Sequence, residues 1–176
     1  MQTSRGSTLK GVVTISLMAV NVVFWVPILL VVALAKLLIP LAAWRRWTSA
    51  LMIWIAQAWI SCNGAIFSLM GALRLEVDGV EGLDPRSWYL VLSNHQSWVD
   101  ILVLQKAFNR RIPFLKFFLK QELIWVPFLG LAWWALDFPF MKRHSATYLQ
   151  KHPQARGEDL DATRKACERF ALLPTS

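Results

Sequence analysis

The stretch Trp88-Tyr89-Leu90-Val91-Leu92-Ser93-Asn94-His95-Gln96-Ser97-Trp98-Val99-Asp100 decides how this chain is read. Residues 88 to 92 form an apolar run of strand length, and Ser97-x-x-Asp100 before the apolar Ile101 to Leu104 is a helix-start signature. A strand leaving at Ser93 and a helix entering near Ser97 would put His95 in the turn between them. Asp100 would then face back toward the imidazole from the first helical turn. Histidine can take a proton from a hydroxyl near neutral pH, and a carboxylate on its other nitrogen fixes the tautomer and steadies the imidazolium. The same spacing is also that of a plain capping box, with a hydrogen-bonded structural histidine beside it. Spacing by itself leaves both readings open.

Working outward, the 176-residue chain is 56% hydrophobic, with ten tryptophans and a positive mean hydropathy, which exceeds the usual soluble domain. Residues 11 to 35 hold no charged side chain, and neither do residues 47 to 73. Each stretch is longer than the roughly 20 residues that cross a bilayer core. The first is also longer than the roughly 7 to 15 apolar residues of a cleaved signal peptide. Both are therefore expected to be membrane anchors. Pro27, Pro40, Gly64 and Gly71 are candidate kinks, and Trp25, Trp44, Trp47, Trp54 and Trp59 suit an aromatic belt at the headgroups. Basic residues flank every boundary of these segments, so the positive-inside rule has no side to choose. Two helices dipping into one leaflet would keep all these cations at one anionic surface, and that arrangement is preferred over a spanning hairpin.

The net charge of +8 raises the question of nucleic acid, and its distribution answers it. Residues 1 to 73 carry five basic side chains and no acidic one, residues 74 to 100 sum to −3, residues 101 to 151 to +6, and the rest to zero. Most of the charge thus borders apolar segments or forms one local block, Lys106, Arg110, Arg111, Lys116, Lys120, Lys142, Arg143 and Lys151. That block suits an anionic lipid or a phosphorylated substrate, or else a solvated face. No nucleic-acid partner is expected. Cys62 and Cys167 lack metal-type spacing to any histidine and are not expected to pair, His144 and His152 read as surface residues, and neither a metal site nor a resident cofactor is expected.

Beyond Leu73, Leu75 and Val77 alternate with Glu76 and Asp78, which predicts a strand before the turn at Gly79. Further strands are expected at 88–92, 113–117 and 137–141, and helices at 99–108 and 158–171. The segment 123–136 is apolar but interrupted by Pro127 and Gly130, and reads as a helix packed on the core or on the membrane. Strands alternating with helices give an α/β layer with a partly parallel sheet.

Three ordered motifs in this part of the chain resemble those of the membrane-bound glycerolipid acyltransferases, which esterify lysophosphatidic acid and related lysophospholipids. Asn94, His95 and Asp100 match an Asn-His-x4-Asp motif. Lys120-Gln121-Glu122-Leu123 with Pro127 and Gly130 matches a second, and Phe138-Pro139-Phe140-Met141-Lys142-Arg143 matches a third that ends on an arginine. The wording around Trp125 and Leu136 is similar to the bacterial inner-membrane branch. The resemblance implies that His95 deprotonates a glycerol hydroxyl, that Asp100 orients His95, and that Lys120 and Arg143 bind substrate phosphate or the acyl carrier. It implies an acyl thioester as co-substrate, on coenzyme A or acyl carrier protein, a lysophospholipid acceptor, and a catalytic domain on the cytoplasmic face of the inner membrane.

The expected architecture is therefore a two-helix membrane anchor over residues 1–73 followed, over 74–176, by a glycerolipid-acyltransferase α/β domain. That domain is expected to be incomplete, because the family's Glu-Gly-Thr-Arg motif would follow the helix that ends near Ala171. A noncatalytic membrane protein whose basic block merely binds anionic lipid is the competing reading.

Overall fold

The computed structural model describes residues 5–71, 75–94, 96–142, 146–151 and 157–171. The chain divides into two compact units between Leu115 and Lys116.

The first unit begins with helices α1, Arg5–Leu38, and α2, Ala42–Met70, joined by three residues around Pro40. So short a connection makes them an antiparallel pair. Pro27 lies inside α1 without ending it, and Gly71, expected as a kink, instead closes α2 in the left-handed conformation at φ 59°, its N–H donating to Ser68 O. Both helices are long and apolar enough to cross a membrane. At 1.5 Å per residue α2 extends about 43 Å, against the ~30 Å of a bilayer core.

The outer face of this pair is apolar, unlike that of a soluble hairpin. Val26, Leu29 and Ala33 of α1 and Met52, Ile55, Ala56, Ile60 and Phe67 of α2 are buried. The polar Thr14, Asn21, Thr48 and Asn63 are buried along the same seam. Leu9, Val12, Ile15, Val20, Val23, Phe24, Val31 and Trp54 face outward. An apolar outer face around a seam that includes small and polar groups beside large apolar ones is an arrangement that lipid accommodates, since hydrocarbon outside gives no hydrophobic drive between helices. With this composition the chain is a membrane protein.

The seam's polar groups find partners across the seam or on their own helix. Asn21 Nδ2 donates to Asn63 Oδ1 at 2.8 Å and to Trp59 O at 3.3 Å, while Thr14 and Thr48 return their hydroxyls to backbone carbonyls one turn earlier. Near the connection, Trp44 Nε1 donates to Ala35 O at 2.9 Å.

Helix α3, Trp98–Phe108, packs on α2 through polar contacts. Lys106 Nζ donates to Ser68 Oγ at 2.8 Å, and Asn109 Nδ2 to Ser61 Oγ at 2.9 Å and Gln57 O at 3.3 Å. Gly64 lies under the Lys106 stem, where a Cβ would sit at an ordinary contact distance of 3.5 Å from Lys106 Cγ. Gln57, Ser61, Gly64 and Ser68, spaced four, three and four residues apart, thus form one stripe on an otherwise apolar helix.

The segments expected to be strands at 75–78 and 88–92 carry no ladder among the described residues, and Trp88, Leu90 and Leu92 are exposed. Alternation and β-branching favour an extended backbone, but a strand exists only through a partner's hydrogen bonds. Tyr89 is held locally instead, its hydroxyl accepting the Asp84 N–H at 2.8 Å.

In the second unit β1, Leu119–Lys120, pairs in parallel with β2, Phe140–Met141, in the register Leu119 to Phe140 and Lys120 to Met141. Of the expected α/β layer the described residues thus show a part, a mostly helical structure with one two-stranded parallel sheet. Residues 113–117 form no strand, β1 beginning only at Leu119, and the strand expected at 137–141 is confined to 140 and 141. Between β1 and β2 the single helix expected at 123–136 is broken in two. A 3-10 turn, Gln121–Trp125, is followed by α4, Leu129–Ala135.

Pro127 causes the break, since it has no N–H to donate and clashes with a continuing helix. Phe128 then takes φ 63°, ψ −49°, and the Leu129 N–H donates to Pro127 O at 2.7 Å, a γ-turn of the rare positive-φ kind. Such a conformation in a non-glycine residue costs about 1–3 kcal/mol. Gly130 makes the turn fit, because any Cβ there would collide with the carbonyl of Ile124. At the far end of α4 the N–H groups of Asp137 and Phe138 donate to Trp134 O and Trp133 O, a Schellman closure that turns the chain into β2. Phe117 stacks on Phe138, with ring centroids 6.4 Å apart.

Two further helices complete this unit, α5, Ala146–Lys151, and α6, Glu158–Ala171, the latter over the range its charge pattern predicts. Lys116 Nζ lies 4.9 Å from the Phe170 ring centroid, which ties α6 to the approach of β1.

Candidate active site

The first turn of α3 is organised by Asp100. Its Oδ2 accepts the backbone N–H groups of Gln96 at 2.6 Å and Ser97 at 2.7 Å. Ser97 is the N-cap, with extended φ −150° and ψ 164°, and its Oγ accepts the Val99 N–H at 3.2 Å. Two donors that a helix start leaves without intrahelical partners are thereby satisfied, and the negative carboxylate sits at the positive end of the helix dipole. The capping box is therefore real. Its consequence reaches further than helix stability, because the two N–H groups that Asp100 holds follow position 95 immediately. The carboxylate pins the backbone that leaves His95.

His95 itself lies outside the described residues, as does Arg143. Lys120 is the last residue of β1 and is exposed. Because β1 and β2 run parallel, their carboxyl ends share one edge, and the register of Lys120 with Met141 sets the exposed Lys142 just beyond it. In parallel sheets the carboxyl ends of the strands are where ligands collect, and exposed ammonium groups there suit phosphate through charge-assisted hydrogen bonds. Among the described residues, no group of three or more His, Cys, Asp or Glu is placed to hold a metal ion.

The reading from sequence passed over the stripe that docks α3. Its signal was present in Gln57, Ser61, Gly64 and Ser68 recurring at helical spacing within an uncharged segment. On a helix otherwise facing lipid or apolar partners, such a stripe marks a contact with something polar.

Residues 74–168, more than half of the chain, match the acyltransferase family, and the chain belongs to that family. Among curated proteins it is similar to 1-acyl-sn-glycerol-3-phosphate acyltransferase alpha of Mus musculus, Homo sapiens and Bos taurus, at 36% identity over 72 residues in each case. The matched stretch covers 40% of this chain and 24% of each relative, so the likeness spans about a quarter of those proteins. No solved structure matches the chain.

Proposed function

We propose that this chain carries the acyl-transfer site of a membrane-bound lysophospholipid acyltransferase, with 1-acylglycerol 3-phosphate as acceptor and an acyl thioester, of coenzyme A or acyl carrier protein, as donor. The observation that carries the reading is the Asp100 carboxylate bonded to the Gln96 and Ser97 N–H groups, inside the segment that matches the acyltransferase family. This arrangement gives the Asn94-His95-x4-Asp100 motif a fixed backbone on which a histidine base can work.

In the proposed reaction His95 takes the proton of the free glycerol hydroxyl as its oxygen attacks the thioester carbonyl. The tetrahedral intermediate collapses with loss of the thiolate, which recovers that proton from the imidazolium, leaving an ester and a free thiol. No covalent enzyme intermediate is required, because the thioester is already activated. A positioned base contributes typically about 10²- to 10⁴-fold. Asp100 is the positioning residue. Lys120 and Arg143 bind the acceptor's phosphate or the carrier, at the strand edge where Lys142 adds a further positive charge.

The parallel pairing of β1 with β2 supports an α/β layer as the setting of this site, since parallel strands call for crossover helices. The proposed location is the cytoplasmic face of the inner membrane, where the basic flanks of α1 and α2 meet anionic headgroups.

The test supplies membranes containing the chain with a labelled acyl thioester and, in turn, lysophosphatidic acid, lysophosphatidylcholine and monoacylglycerol. The proposal expects label to enter phosphatidic acid, with monoacylglycerol the poorest acceptor because it lacks the phosphate. Preference for monoacylglycerol would overturn the assignment of Lys120 and Arg143.

A further inference from the structure

We infer that the second unit has its own lipid contact, in which the 3-10 turn and α4 press Trp125, Phe128, Leu131 and Trp134 into the headgroup region of the bilayer. Residues 123 to 136 contain no charged or polar side chain. The segment nevertheless has an inner and an outer face. Gly130, Ala132, Ala135 and Leu136 are buried, whereas Trp125 is 85% exposed and Phe128, Leu131 and Trp134 are each 54% exposed. Small residues thus face in and large aromatic ones face out, which is the reverse of a helix lying on a water-facing surface. A contiguous apolar patch of this kind marks a contact.

Two further observations favour lipid as the occupant. Three of the four outward residues are aromatic and two are tryptophan, the side chain enriched where hydrocarbon meets headgroups. The strand ends of the same unit carry the exposed cations Lys120 and Lys142, which complement anionic headgroups. The γ-turn at Phe128 has a purpose on this account. It swings the chain so that Phe128 joins the outward row, and Gly130 tucked against Ile124 holds it there.

The test uses the full chain, with Cys62→Ser and Cys167→Ser, reconstituted in vesicles of phosphatidylethanolamine and phosphatidylglycerol. An environment-sensitive fluorophore is attached at Leu131→Cys, at Trp125→Cys or, as reference, at Lys165→Cys on the charged face of α6. Interfacial helices seat their apolar face roughly 5–10 Å into the headgroup and acyl boundary. The labels at 131 and 125 are therefore expected to shift to the blue, to lose intensity to lipids brominated near the glycerol end of the chain, and to resist aqueous iodide. The label at 165 should do the opposite. Adding Trp134→Glu should return the label at 131 to water. Iodide quenching at 131 and 125 equal to that at 165 would overturn the inference. So would protection from iodide without bromolipid quenching, or protection lost at one chain per nanodisc, which would mean that protein covers the patch. The measurement reads depth rather than turnover, so it stands apart from the acyl-transfer proposal.

Discussion

Lys106 on α3 donates to Ser68 on α2 at 2.8 Å, which joins the helix begun by the Asn94 to Asp100 motif to a helix of membrane-spanning length. Asn109, the C-cap of α3 three residues further on, adds links to Ser61 and Gln57. The candidate site is thereby referenced to a fixed height on α2. Gly64→Ala is expected to be tolerated, since its Cβ would meet the Lys106 stem at an ordinary 3.5 Å. Gly64→Leu should displace α3, lowering acyl transfer while leaving the chain in the membrane. Transfer assayed beside membrane extraction distinguishes the two variants.

At Asn109 the chemistry is asymmetric, because Nδ2 is bonded while Oδ1 is buried with no hydrogen-bond partner among the described residues. Asn109→Ala should cost about 1 kcal/mol for the lost bonds. Asn109→Asp should cost more, since it places a charge at the unsatisfied position. Unfolding in mixed detergent would order the two, and an aspartate milder than alanine would refute this placement.

Asn21 and Asn63 form a matched pair across the α1–α2 seam. Asn21→Leu or Asn63→Leu alone should destabilise the hairpin by roughly 0.6 to 1.7 kcal/mol, the span of interhelical hydrogen bonds in membrane proteins. The double variant should cost less than the sum, because no polar group is left alone. A double-mutant cycle on unfolding in detergent gives the coupling directly, and strict additivity would show that the bond contributes nothing.

Around the γ-turn, Gly130→Ala should disrupt the second unit, by about 1–3 kcal/mol or more, because backbone rather than a flexible side chain blocks the added methyl. Phe128→Gly should leave stability unchanged or raise it, as relief of about 1–3 kcal/mol of strain offsets the entropy of the glycine. Proteolytic protection of residues 116–171 reports both.

Much of this structure was legible in the sequence where one residue pattern has one physical solution. The charge-free stretches at 11–35 and 47–73 could only be apolar helices, and the acidic start and basic later turns of 158–171 define α6 within a residue. Ser97 and Asp100 announced their cap. The strands were less legible because β structure is a property of pairs. Leu75 to Asp78 and Trp88 to Leu92 have strand composition but no ladder among the described residues, while the pairing seen there, Leu119 with Phe140, joins residues far apart in sequence. The split at Pro127 was half visible, since the proline was read as an interruption, whereas the positive φ at Phe128 has no signal in its residue type. At the site, the four residues singled out fared unequally. Asp100 and Lys120 have defined surroundings, whereas His95 and Arg143 lie outside the described residues, and their roles rest on the motifs that contain them.

Ser97→Ala and Asp100→Asn separate the cap from the chemistry. Removing the Ser97 hydroxyl should cost about 1 kcal/mol of helix stability with turnover largely kept. Asp100→Asn retains the shape and one acceptor oxygen but loses the charge, so turnover should fall much further than stability. Equal loss of turnover in the two variants would reduce Asp100 to a cap.

The central claim is that His95 is the base of an acyl transfer to a lysophospholipid. The most direct measurement is transfer of a labelled acyl group from its thioester to lysophosphatidic acid by membranes bearing the parent chain or His95→Ala at equal abundance. The account predicts labelled phosphatidic acid from the parent and a loss of about 10²-fold or more in the variant, with membrane association unchanged. Equal transfer by the two chains would contradict it.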